Sequence, residues 1–181
     1  MEPEEYWFWL CGKKAITRSK IQKLLCRYGS VQEIYSAKET ELYKCGILTS
    51  EETVCLAERK RNEAFRRELK QLKQAGILFL YPEHPAYPGR LKRLTDFPYS
   101  LYVRGMLPPE AGPSVGIVGA RVCSNYGRNT ARELGKEAAL YGISVISGMA
   151  RGIDTYAHSG ALAGGGKTWA VLGCGIDICY P

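Results

Sequence analysis

The sequence predicts an α/β chain in two parts, a small all-helical segment followed by a domain built on a parallel sheet. Three observations lead there. Residues 5–75 hold most of the long polar side chains with only three glycines, Gly12, Gly29 and Gly46, and space apolar residues helically, as in Ile21, Leu24, Leu25 and Tyr28. From Ile77 onward, short apolar or β-branched runs at 77–80, 101–104, 115–118, 144–146 and 168–172 end in Gly, Ser or Pro, as strands do. Stretches of helical character at 125–141 and 153–163 separate the last three runs, and a β-α-β-α-β series implies parallel strands joined by right-handed crossovers.

In the helical segment, turns at Gly29-Ser30, Cys45-Gly46 and Thr49-Ser50 leave only short helices between them. Ser50, ahead of Glu51 and Glu52, reads as an N-cap with acids in the first turn. A single helix over about 50–74 follows, stopped by Gly76. It carries Arg59, Lys60, Arg61, Arg66, Arg67, Lys70 and Lys73, interleaved with Glu58, Glu63 and Glu68. The regular glutamates favour a solvated helix laced by local charge pairs over a nucleic-acid-binding face. The aromatic run Tyr6-Trp7-Phe8-Trp9 reads as core, because four consecutive aromatics cannot all face one side of a helix. Residues 81–89, with Pro82, Pro85 and Pro88, form a rigid connector that cannot be a central strand. The division is accordingly placed between a helical domain at 1–76 and a sheet domain at 77–181.

Composition narrows the function. With 181 residues, 45% hydrophobic and 24% charged, the chain can bury a core, and wholesale disorder is excluded. No window approaches eighteen uninterrupted apolar residues, and Met1-Glu-Pro-Glu-Glu is acidic where a signal peptide is basic, so no membrane or secretory role is expected. The net charge of +7 permits a polyanionic partner. Seven cysteines, an odd number without a CxxC pair, fit a reduced cytoplasmic protein without structural zinc or another metal centre.

In an open α/β sheet, ligands bind beyond the carboxyl ends of the strands. Three Gly- or Ser-rich loops follow the last three strands: 119–127, 147–154 and 173–181. Glycine allows close approach of the backbone, and a helix start offers unpaired N–H groups, so phosphate is the natural guest. Arg121 and Arg151 can each grip two oxygens, while Ser124 and Ser147 can donate hydroxyls. The first loop lacks G-x-G-x-x-G and the third has Ile178 where its last glycine should be, which argues against a nicotinamide cofactor; none is expected. Residues 161–168 approach a P-loop pattern but run from helix into strand, the reverse of what a nucleotide-binding helix start requires. Asp154 and His158, four apart, could form an acid–base pair, but a first-turn acid and a packed histidine are the favoured roles. Cys123 beside Arg121 reads as a buried thiol.

Five ordered blocks then resemble one family: Tyr87-Pro-x-x-Leu-x-x-Leu; Asp96-x-Pro98-x-x-Leu101-Tyr102-x-x-Gly105; Val118-Gly-Ala-Arg-x-x-Ser124-x-Tyr-Gly127; Ser147-Gly-Met-Ala-x-Gly-Ile-Asp154-x-x-Ala157-His158; and Gly173-x-Gly-x-Asp177-x-x-Tyr-Pro181. Together they resemble the DNA-processing protein A (DprA/Smf) family over residues 80–181, and the preceding helices are similar, more loosely, to its sterile-alpha-motif-like domain. The resemblance implies a Rossmann-like fold and a non-enzymatic cytosolic protein that binds single-stranded DNA and helps load the RecA recombinase during natural transformation. It places the phosphate pocket at Gly119, Ala120, Arg121, Ser124, Ser147, Gly148, Gly173 and Gly175; the loop reading adds Arg151 and Gly152. The family's sheet continues past Pro181 and forms a homodimer, so weaker DNA binding and doubtful dimerisation are expected for this length. The competing expectation is a nucleotide-binding sensor or hydrolase using the same pocket.

Overall fold

In the computed structural model, which describes residues 1–12 and 16–180, the chain forms two compact units, Met1–Gly105 and Met106–Pro181. The first opens with six short helices: α1 (Pro3–Cys11), α2 (Arg18–Tyr28), α3 (Val31–Ser36), α4 (Glu39–Lys44), α5 (Ser50–Asn62) and α6 (Ala64–Gln74). The strand pair β1 (Ile77–Leu80) and β2 (Leu101–Arg104) is antiparallel, Leu80 opposite Leu101, with one turn of helix, α7 (Gly89–Lys92), between them. The aromatic run is core as expected: Trp7, Phe8, Trp9 and Leu10 are all buried, and the Trp9 indole N–H donates to the Leu56 carbonyl at 3.0 Å. The rings of Trp7 and Tyr99 stack at 5.7 Å, and Phe8 meets Phe79 edge to face at 5.0 Å. Those contacts draw the strand pair onto the helices. The first compact unit therefore runs on through the strand pair to Gly105.

The helix expected over 50–74 is two helices. Glu63 sits in the left-handed region at φ 49°, and the Asn62 carboxamide accepts from the Ala64 N–H at 2.9 Å, starting α6 anew. The break lets Arg59 pair with Glu68 at 3.2 Å, nine residues on, which a continuous helix would hold about 13 Å apart along its axis. The N-cap of α5 is Thr49, not Ser50. Its hydroxyl accepts from the Glu52 N–H, while the Glu52 carboxylate accepts from the Thr49 N–H, a reciprocal capping box. Glu52 also bridges to Lys20 on α2 at 2.7 Å, and these bonds hold its carboxyl below the usual range. Burial pushes the Cys11 thiol up to about 12, so it stays protonated and inert.

The second unit is a Rossmann-like three-stranded parallel sheet in the order β3 (Ser114–Gly116), β4 (Ser144–Ser147), β5 (Thr168–Ala170), with α8 (Asn125–Leu140) and α9 (Ile153–Ala163) as crossovers. β3 and β5 are shorter than expected and β4 is one residue longer, although ladder bonds continue from the Ile117 N–H to Ile146 and from the Val171 N–H to Ser147. The core here is made of small residues: Val145, Ala138, Ala157 and Ala161, with Ile117 and Ile143 packed on them. Small side chains let α8 and α9 touch backbone to backbone. A Cβ on Gly160 would lie 2.0 Å from the Arg132 carbonyl oxygen, and one on Gly135 would lie 2.4 Å from that of Ala157.

Candidate functional site

Two of the three loops meet, and a buried carboxylate joins them. Asp154, in the first turn of α9, is 6% exposed, and its Oδ1 accepts from the Gly119 N–H of the first loop at 3.3 Å. Its Oδ2 accepts from the N–H groups of Gly148 and Ala150 in the second loop, at 3.1 and 3.4 Å. Met149, between those two amides, takes φ 58°, a conformation an ordinary side chain rarely adopts. That twist turns alternate amides toward one point, the geometry of an anion-binding nest, and the nest is filled from within by Asp154.

The glycines make this closeness possible. Gly152, at φ 82°, precedes α9 where a Cβ would lie 2.2 Å from the Ala120 carbonyl oxygen, and that carbonyl accepts from the Ile153 N–H at 3.2 Å. Gly119 lies against Ile153, with room for no side chain.

Several expected donors therefore face inward. Ser147 is buried and its hydroxyl donates to the Ile117 carbonyl at 2.6 Å, so it fastens β4 to its neighbour and is not placed to donate to a ligand. The Gly119 and Gly148 amides serve Asp154. What remains outward is the pair of guanidinium groups: Arg121 and Arg151 are exposed, and among the described residues neither has an ion-pair partner. Beside Arg121, Ser124 caps α8 by accepting from the Gly127 N–H at 3.2 Å, which leaves its own O–H free to donate outward. The first-turn amides of Asn125 and Tyr126 have no acceptor among the described residues, so a sixteen-residue helix presents its positive end next to Arg121. The third loop stands apart. It leaves β5 alongside the second through the Val171 bond to Ser147, but Gly173 has open space around it and Gly175 faces its own Asp177.

Asp154 and His158 form no acid–base pair. The Thr168 hydroxyl gives its proton to the Val145 carbonyl at 2.9 Å, so it must accept from His158 Nδ1–H at 2.6 Å. The other ring nitrogen, Nε2, is buried with no partner among the described residues, so a proton there would find no acceptor and the neutral ring is favoured. Burial pushes the histidine below its ordinary 6.5, against the smaller opposite pull of Asp154. The sign follows: the folded state binds fewer protons than the unfolded near pH 6.5, so the stability contribution is complete above about 6.5 and drains as the pH falls toward the folded value. Replacing His158 with Asn, which keeps a side-chain N–H, is expected to flatten this loss. The check is melting temperature against pH for both proteins; parallel curves would assign the acid sensitivity elsewhere.

The parallel sheet and the crossover helices define a Rossmann-like α/β protein with two exposed cations, Arg121 and Arg151, on its strand-end loops. A model of the family described as DNA recombination-mediator protein A matches residues 78–181, more than half the chain. The chain belongs to that family. It is 38% identical over 117 residues to Protein Smf of Synechocystis, covering 62% of this chain and 29% of the relative. It is 42% identical over 97 residues to the DNA processing protein DprA of Streptococcus pneumoniae, covering 52% and 33%. The X-ray structure of that pneumococcal protein superposes with a TM-score of 0.71 and 26% identity, over all of this chain and 61% of the other. The chain thus matches about a third of the length of these curated relatives.

Proposed function

We propose that the surface around Arg121 and Arg151 holds the phosphate backbone of single-stranded DNA without reading its bases, in a cytoplasmic, non-enzymatic DNA-processing role. The observation that carries this reading is two exposed guanidiniums without an ion-pair partner among the described residues, beside a helix start whose first amides have no acceptor among them, on loops locked in place by Asp154. Rigid cations and amides of this kind position a backbone and ignore sequence. The pneumococcal relative, named for DNA processing, supports the polymer as ligand. The one acid–base candidate is spent on structural bonds, which supports binding over hydrolysis. Delivery of the bound strand to a RecA recombinase and homodimerisation belong to the same family-based reading.

Fluorescence anisotropy with labelled oligo-dT, an equal-length duplex and a mononucleotide competitor tests it. The expected result is preference for the single strand, with affinity falling steeply as salt rises. Stabilisation by a micromolar mononucleotide with no response to oligo-dT would instead favour a nucleotide sensor.

A further inference from the structure

The compact division redistributes the charge. Residues 1–105 contain nineteen Lys/Arg against thirteen Asp/Glu, net +6, whereas residues 106–181 contain six against five, net +1. The strand-end unit is close to neutral, and the long-range field that would attract a polyanion originates in the helical unit.

That field is unevenly compensated. On α5 and α6, Arg59, Arg61, Arg66 and Lys73 each pair with a glutamate. Helix α2 differs: Arg18, Lys20, Lys23 and Arg27 stand in eleven residues without one acid. Only Lys20 has a carboxylate partner among the described residues, Glu52. Arg18 is held by the Phe97 and Thr95 carbonyls, which fix its place but leave its charge uncancelled, and thereby bring the start of α2 against the segment that follows α7 with its Arg90 and Lys92. Lys23 and Arg27, both exposed, are four apart on one helical face, a mutually repulsive arrangement. With Ser19, Gln22 and Cys26 they line an open groove along the helix.

We propose that this face of α2 is a second phosphate-binding surface, which takes the sugar-phosphate backbone of single-stranded DNA through Lys23 and Arg27. The choice of polyanion rests on the function proposed above; the site does not. A repulsive cation pair with no carboxylate partner among the described residues is relieved by an anionic ligand, and two exposed cations along an open groove, Arg27 resting 6.0 Å from the Tyr28 ring, suit a repeating backbone.

The test uses the full chain and labelled oligo-dT, titrated by anisotropy at several salt concentrations. The double reversal Lys23→Glu/Arg27→Glu is compared with Arg67→Glu/Lys70→Glu, the same charge change on exposed positions of α6. The first is expected to weaken binding at least about tenfold and to lower the salt slope by about 1.4, as for two lost single-strand phosphate contacts; the second is expected to do much less. Equal effects of both would mean net charge alone acts and would overturn the site, as would no effect of the first. Arg121→Ala separates the two readings. If it retains affinity while the α2 reversal loses it, the strand-end reading fails and this one stands; the opposite pattern overturns this one alone.

Discussion

Asp154→Ala is expected to destabilise the sheet unit by about 3 kcal/mol, since it strips the acceptor from three amides at once and each orphaned donor costs about 1 kcal/mol or more. The loss is local in origin, so it has a local signature: the amide protons of Gly119, Gly148 and Ala150 should lose protection from exchange before the amides of β4 do. Asp154→Asn keeps one acceptor oxygen but points an N–H₂ at donors, and should fall between wild type and Ala. Denaturation midpoints and residue-resolved hydrogen exchange check both. Unchanged protection at those three amides would mean that something other than the carboxylate holds the loops. DNA affinity should fall with the loops, because Arg121 lies on one of them and Arg151 on the other.

The second large effect is expected at Gly160→Ala. In an ordinary helix this change would stabilise by about 1 kcal/mol. Here the new methyl would sit 2.0 Å from the Arg132 carbonyl oxygen, a backbone atom that cannot rotate away. Forcing α8 and α9 apart costs about 3 kcal/mol, so overpacking outweighs propensity and the protein should lose about 2 kcal/mol. Calorimetry should show the melting transition lowered. A raised transition would mean that the two helices are not in backbone contact.

How much of this was legible in the residues differs from element to element. Helices α8 and α9 and the parallel ladder follow from periodicity and from the order of the runs, because long regular patterns depend little on tertiary detail. The break at Glu63 has neither Gly nor Pro to announce it; Asn62 was the only local signal. The Thr49 cap was readable from Glu52 three residues on, a spacing that Ser50 does not share. Ser147 looked like a ligand donor by residue type alone. Strand alternation carried the better answer, since Ser147 lies two residues from Val145 and so shares its buried face. The role of Asp154 depends on loops 6 and 35 residues away in sequence, which no local pattern encodes. The exposure of Arg121 and Arg151 was legible from residue type, since a guanidinium in a polar loop keeps to solvent.

The most direct measurement is the affinity of Arg121→Ala for oligo-dT across a salt series, with the fold verified by circular dichroism. Because Arg121 is exposed and has no ion-pair partner among the described residues, its removal should leave stability within about 0.5 kcal/mol of wild type, weaken binding about tenfold, and lower the magnitude of the salt slope by about 0.7, as for one lost single-strand phosphate contact. Wild-type affinity with an unaltered slope would contradict the assignment of the strand ends as the place where the backbone is held.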